Sequence, residues 1–529
     1  MTLGIFVVVL DNTIMNVSIS ALVEDLNTTV SGVQTAIALN ALMMAAFVLL
    51  GGKLGDILGL KRTFLMGAVL YIIGSGLASM SNTLAVFIIG WCLIQGVGAA
   101  LMMPNVQALL RTNTEGAVRT KAYGTLGGVN ALGTAIGPIL GGFLTAYFSW
   151  RWAFRLEVIT LIILLFMSSN IPADVLKKVR PKLDWFGAAL QSIAMIMFVT
   201  GIIMIDQFGL IFAKNELFVG PFTLTPFGLS PALIFMAIGA LVLLGFVSWE
   251  KRRELKKLPT LLDLKIFLNK AFTNSLIVHS IQVAIFVGLL FTIPLFLQVT
   301  FGLDAFETGL IMLPFSLTIV LLIKPSLKLA EKYTPKRVVQ AGYVISIIGS
   351  LFIMALVQNS ESAYDIIPGL IVFAVGQAMI ASQMANFVMS SASAKQASEA
   401  SGVNATFEQL GNSIGVAVLG TVLTASLINS LVRTIPQSTV FTTEEANALV
   451  EYVETSNVQI VSDDQVFSAV TETELSDPVS EEIVNVYQIS RTNAFQTTML
   501  FVAFFSALGL VYCAYLPKKT SAELVAAEG

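Results

Sequence analysis

The sequence predicts an all-α transmembrane protein of about fourteen helices, built as two related halves. Three observations predict it: a shortage of charge, the length of the apolar runs, and an internal echo of charged and glycine-rich patterns. The 529 residues are 56% hydrophobic and 12% charged, with a mean hydropathy of +0.82. Soluble domains carry about 25% charged residues, so two or three soluble domains of this length would lack a polar surface. Lipid must be the solvent for much of the chain. A net charge of −3 gives no attraction for nucleic acid. Cys92 and Cys513 both lie in apolar runs, which suggests neither a disulfide framework nor a metal site. No Gly-x4-Gly-Lys-Ser/Thr loop is present, so ATP is not the expected energy source within this chain; separately, neither a cofactor nor an enzymatic activity is expected.

About 20 apolar residues cross the hydrocarbon core as a helix. On that criterion the spans are 3–23, 33–52, 63–81, 83–104, 121–147, 152–171, 185–205, 230–249, 272–298, 305–325, 338–357, 364–389, 400–427 and 494–516. Barrel strands would instead show alternating segments of about ten residues. The first run has no basic region ahead of it and contains Asp11 and Asn12, so it reads as a retained helix rather than a signal peptide. An apolar run from the first residues is also compatible with a start trimmed relative to the full gene product. With both termini in the cytoplasm, 25 of the 30 Lys and Arg fall on the inner side, among them Lys61, Arg62, Arg119, Arg252, Arg253, Lys336 and Arg337. This positive-inside bias requires an even number of spans and suits a plasma-membrane protein.

The repeat appears twice. Residues 52–62, Gly-Lys-Leu-Gly-Asp-Ile-Leu-Gly-Leu-Lys-Arg, match 327–337 in their acid and twin base, 275 residues on. Leu132 to Gly137 match Leu410 to Gly415 at an offset of 278. Similar offsets imply duplication of a six-helix unit: a bundle over 1–172, two inserted helices with their loops over 173–257, and a second bundle over 258–529. Paired repeats around a midplane cavity are the architecture of alternating-access transporters.

Five motifs carry a family resemblance across nearly the whole chain. They are Gly52 to Arg62, Leu10-Asp11-Asn12-Thr13-Ile14-Met15-Asn16-Val17, Gln95-Gly96-Val97-Gly98-Ala99-Ala100, Gly133-x3-Gly137-Pro138-x2-Gly141-Gly142, and Trp150-Arg151-Trp152-x-Phe154. With these, the chain resembles the major facilitator superfamily, specifically its fourteen-helix drug:proton antiporters. The resemblance implies the major facilitator fold: two six-helix bundles plus two extra helices. It also implies secondary export of small lipophilic or cationic compounds, with protons as the exchanged partner. The chain is expected to act in membrane lipid as a monomer.

The resemblance gives each motif a role. Gly52, Asp56, Gly59, Lys61 and Arg62 become a gate, in which Asp56 pairs with a charge on a neighbouring helix and latches the cytoplasmic side. Gly133, Gly137, Gly141 and Gly142 leave a face without side chains where another helix can approach, and Pro138 removes a backbone donor and permits a kink. As the antiporter motif, this segment favours exchange over leak. Charge at membrane depth costs several kcal/mol and faces a cavity or a partner. That singles out Asp11 and Glu408 for coupling or substrate binding, with Asn16, Gln95 and Asn130 nearby; the repeat sets Glu408 opposite Asn130. The plainer reading of Asp11 is a structural hydrogen bond to Asn16, Asn40 or another polar neighbour. Arg155 and Glu157 are expected to pair with each other or snorkel, and His279 to be a packed polar residue.

Two departures from the family pattern stand out. Cys92 occupies the helix-four place of an arginine that the family links to proton coupling, and Glu157 lies in a segment that usually continues with Asn and Pro. The stretch 430–492, with eleven acidic residues, is the one long polar insertion; it reads as a solvated outer cap with amphipathic segments such as Thr442 to Val453. Met and Phe abundance suits bulky substrates. Two other readings stay open: a carrier of one specific solute (siderophore, osmolyte or lipid-like molecule) with different ion coupling, and a non-transporting membrane sensor.

Overall fold

A computed structural model of the chain describes residues 2–113, 129, 133, 136–168, 183–215, 217–219, 222–223, 225–358, 360, 362–391, 397–455, 458–471 and 477–517. The first half opens with α1 (Thr2–Val17), α2 (Ile19–Asp25), α3 (Val30–Leu58) and α4 (Leu60–Ser79). It continues with α5 (Leu84–Phe87), a π-helical turn (Ile88–Gln95), α6 (Gly96–Asn113), α7 (Ile136–Tyr147) and α8 (Arg151–Met167). A hairpin of α9 (Trp185–Ile203) and α11 (Pro231–Leu255) follows, with α10 (Ile205–Phe208) and a two-residue ladder of β1 (Phe218–Val219) and β2 (Phe222–Thr223) at its turn. The second half holds α12 (Lys270–Phe301), α13 (Ala305–Lys332), α14 (Pro335–Gln358), α15 (Ile367–Ser390), α16 (Ala397–Thr434), α17 (Thr443–Thr455), α18 (Asp463–Thr471) and α19 (Asp477–Tyr512).

Among the described residues, eleven helices are long and apolar enough to cross a membrane, and twelve if the bent α1–α2 pair is one span. Every span expected from hydropathy overlaps a described helix. The expected span 121–147 is represented by α7, with 121–128 outside the described residues, and 152–171 by the 17-residue α8. The first span departs from expectation: instead of running straight over 3–23 it bends by 73° between Val17 and Ile19. At the bend, Ser18 Oγ hydrogen-bonds the Thr145 hydroxyl at 2.7 Å and the Ile14 carbonyl at 3.2 Å. The last span is the far end of a 36-residue helix that begins at Asp477.

The halves meet along α3 and α16, which run antiparallel. Lys53 pairs with Glu399 at 3.2 Å, Ser413 Oγ donates to the Ala38 carbonyl at 2.7 Å, and Gln34 Nε2 donates to the Ala417 carbonyl at 3.2 Å. The partners step down one helix as they step up the other, so contact runs the length of the pair. At the end bearing Lys53, Ser401 Oγ donates to Gln107 Oε1 at 2.6 Å. At the opposite end Ser20 Oγ and the Val17 carbonyl bond the Gln298 amide at 2.6 and 2.7 Å. The bundle is therefore closed at both ends. The α9–α11 hairpin sits outside it: α9 packs on α3 and α16, and α11 packs on α9.

The insertion 430–492 is more ordered than a solvated cap. Thr442 to Val453 was expected to be amphipathic helix, and α17 covers Thr443–Thr455. Phe441, Val453, Ile460, Val466 and Val486 are buried in one apolar cluster. Arg491 is buried, with Nη1 2.8 Å from Asp463 and 3.1 Å from the Val461 carbonyl, and the Tyr487 hydroxyl donates to the Gln459 carbonyl at 2.7 Å.

Candidate functional site: an acid pair beside a π-helical turn

Asp11 lies in the body of α1 and is 3% exposed. Its carboxylate receives the Trp91 indole Nε1 at 3.0 and 3.1 Å and Gln95 Nε2 at 2.8 Å. Both donors come from the π-helical turn, a form that inserts one extra residue into an α-helix and recurs at functional sites. Glycine makes room for it. A Cβ on Gly90 would lie 2.7 Å from the Ala78 amide nitrogen and 2.9 Å from the Gly74 carbonyl, so α4 and the turn touch main chain to main chain. Aromatic packing fixes the indole: Trp91 lies 5.1 Å from Phe87 and 6.3 Å from Phe154, centroid to centroid. The Asn40 amide donates to the Trp91 carbonyl at 2.9 Å and steadies the backbone of the turn.

Of the structural partners expected for Asp11, the two named asparagines bond elsewhere and other polar neighbours, Gln95 and Trp91, take the place. Asn16 Nδ2 donates to the Asn12 carbonyl at 2.7 Å, and Asn40 holds Trp91, so neither side chain bonds the carboxylate. A residue read otherwise from the sequence completes the site. Glu157 does not pair with Arg155 or snorkel; it is 2% exposed and lies across from Asp11. Ser75 Oγ is 2.9 Å from Glu157 Oε2 and 2.9 Å from Gln95 Oε1, and Glu157 Oε1 has no hydrogen-bond partner. Arg155 is exposed, with its guanidinium 5.1 Å from the Trp152 ring. Helix geometry explains the correction, because residues two apart on a helix do not share a face. Cys92 Sγ turns away to the Ala36 carbonyl at 3.2 Å.

Glu408 lies apart from this site. It borders a crevice between α3, α6 and α16, with Met44, Met103, Gln107, Asn404 and Gln409. His279 Nδ1 is 2.9 Å from Asn404 Oδ1, the packed polar role expected of it. Asn130, set opposite Glu408 by the repeat, lies outside the described residues.

In the antiporter motif, a Cβ on Gly133 would lie 2.9 Å from Val9 Cγ1 and one on Gly141 would lie 2.9 Å from Ile14 Cα. A Cβ on Gly137 would overlap the Thr13 hydroxyl, and one on Gly142 would overlap the Ala305 carbonyl. Gly309 of α13 approaches the Pro138 carbonyl in return, at 2.5 Å from its would-be Cβ. The small-residue face thus seats α7 on α1 and on α13.

At the expected gate, Asp56 ends α3, Gly59 turns the chain with φ +105°, and Lys61 and Arg62 begin α4. The neighbouring segment with Arg119 and Lys121 lies outside the described residues. Gly52 is roomy, its would-be Cβ 3.7 Å from Pro104, whereas a Cβ on Gly55 would overlap the Asn105 amide. Asn105 Nδ2 donates to the Gly51 carbonyl at 3.0 Å. Behind the Trp-Arg-Trp segment, Trp150 Nε1 donates to Asp25 at 2.9 Å and Arg151 pairs with the same carboxylate.

A bundle of apolar helices in two halves, closed at both ends around buried acids, defines a multi-pass membrane transporter rather than an enzyme. The family model of the Major Facilitator Superfamily matches residues 1–416, and the chain belongs to that superfamily. It is 28% identical to a protein of Streptomyces coelicolor described as "Probable actinorhodin transporter", over 78% of this chain and 69% of that one. It is 25% identical to the multidrug efflux pump LfrA of Mycolicibacterium smegmatis, over 80% of each chain. The crystal structure of an auto-inhibited POT family peptide transporter shares the fold, with a TM-score of 0.56 and 14% identity, over 97% of this chain and 96% of that one.

Proposed function

We propose that this transporter exports small lipophilic or cationic compounds across the plasma membrane by alternating access, in exchange for protons. The observation that carries the reading is Asp11, an acid buried at membrane depth and held by two donors, where a charge without function would be costly. The likeness to a multidrug efflux pump supports the direction of transport. Residues 1–172 and 258–529 act as the two moving bundles, with 173–257 carried alongside, and both termini face the cytoplasm. Lys53 and Glu399 then close the inner mouth.

Purified protein in proteoliposomes under an imposed pH gradient tests this. Tetraphenylphosphonium, a lipophilic cation, should move against the proton flow, and Asp11→Asn should abolish gradient-driven movement. Absence of flux in the wild-type protein across a panel of lipophilic cations and neutral compounds would overturn it.

A further inference from the structure

The hydrogen bonds around Ser75 carry more than their distances. A serine hydroxyl has one proton to donate, whereas an amide oxygen and an ionised carboxylate only accept. Ser75 Oγ lies 2.9 Å from Gln95 Oε1 and 2.9 Å from Glu157 Oε2, so with both acids ionised one of these contacts would join two acceptors with no hydrogen between them. Protonating Glu157 removes the conflict. Its O–H donates to Ser75, Ser75 donates to Gln95 Oε1, and Gln95 Nε2 and the Trp91 indole donate to an ionised Asp11.

The same heavy atoms admit a second arrangement with one proton on the pair. Turning the Gln95 amide over places its oxygen toward Asp11 and its nitrogen toward Ser75, since an amide's two ends are interchangeable in shape. Asp11 then donates to Gln95, Gln95 to Ser75, and Ser75 to an ionised Glu157. Each arrangement contains one proton on two carboxyls. The groups facing the pair leave it no other ion partner. They are Tyr71 from α4, Cys92 from the π-helical turn, and the two acids from α1 and α8. Among the described residues no Lys, Arg or His acts on either acid.

We propose that Asp11 and Glu157 share a single proton across Gln95 and Ser75, and that Glu157 holds it in the closed arrangement seen here. The step is a proton transfer: the O–H bond of one acid breaks as that of the other forms, Ser75 and Gln95 reorient, and no electrons change hands. Glu157 is thereby the second acid of the exchange site, and one negative charge is left to attract a cation. The inference rests on the proton-exchange reading for its role in transport, but the location of the proton is measurable without transport.

Infrared difference spectra of the purified full-length protein should show a protonated-carboxyl C=O band that is lost in Glu157→Gln and retained in Asp11→Asn. Glutamine can still donate to Ser75 and leaves Asp11 ionised, so that variant should release no proton when tetraphenylphosphonium is added. Should Glu157→Gln fail to fold, Ser75→Ala keeps both acids and removes the acceptor of the Glu157 proton, which should shift the band. A carboxyl band untouched by Glu157→Gln, or by Ser75→Ala where that variant is used, or proton release from Glu157→Gln equal to wild type, would overturn the proposal. A wild-type protein that shows the band but carries out no flux would overturn the exchange reading alone.

Discussion

Lys53 of α3 and Glu399 of α16 form an ion pair at 3.2 Å that joins the two halves of the molecule, with about a fifth to a quarter of each side chain exposed. Solvent-accessible pairs contribute about 0.2–1 kcal/mol, enough to tilt a balance between conformations without locking it. Lys53→Glu should therefore open this end by roughly a factor of 1.4 to 5. Labelling of a Ser401→Cys reporter by a membrane-impermeant maleimide measures the opening, and combining Lys53→Glu with Glu399→Lys should restore the wild-type rate.

Gly137 and Gly76 make a matched pair of tests. A methyl on Gly137 would strike the Thr13 hydroxyl, whereas one on Gly76 would meet nothing within 4 Å. Overpacking costs about 1–3 kcal/mol, so Gly137→Ala should lower the melting temperature in detergent and reduce transport. Gly76→Ala should be neutral or slightly stabilising in the same melting experiment.

Gln95 joins Asp11 to Ser75 through its two amide atoms. Replacing it with Met takes one hydrogen-bond partner from Asp11 and one from Ser75, at a cost of about 1–3 kcal/mol. Gradient-driven efflux should fall steeply in Gln95→Met, measured in the same proteoliposomes.

Glu408 sits with Met44, Met103 and Asn404 in a crevice separate from the acid pair. Glu408→Gln should reduce pH-driven efflux more than it reduces tetraphenylphosphonium binding. Unchanged efflux in this variant would remove Glu408 from coupling.

Arg491 ties the acidic insertion to α19. Its side chain is 4% exposed and its Asp463 partner 34%, so the loss on breaking the pair falls below the about 3–5 kcal/mol of a fully buried one. Arg491→Met should speed proteolysis within 443–471 while the rest of the bundle stays resistant.

The helices were legible because a membrane span must be long and apolar, and a run of that kind has few other readings. The glycine face of α7 was legible for a similar reason, since only close approach of a helix gives repeated absent side chains a purpose. The bend at Ser18 was not, because its cause is a hydroxyl contact with Thr145, distant in the chain. Asp11 and Gln95 were both singled out, yet their contact depends on how α1 lies against the π-helical turn, which no local pattern announces. Trp91 looked like one more apolar residue. Glu157 was visible as a departure from the family pattern, but nearness in sequence drew attention to Arg155 when its partners came from α4 and α1. Asp25, the anchor for Trp150 and Arg151, carried no motif at all.

Gly142 and Gly309 have a consequence for how the two ends of the molecule respond to their surroundings. Each seats its helix against the main chain of the other half, Gly142 at Ala305 and Phe306, Gly309 at Pro138 and Ile139. A seam of this kind offers no charge for ions to screen and no proton to gain or lose, so its tightness depends on shape alone. The opposite end closes through Lys53 and Glu399, whose attraction weakens as ionic strength rises. Salt should thus loosen one mouth of the transporter and leave the other indifferent, which makes the molecule mechanically polarised from end to end.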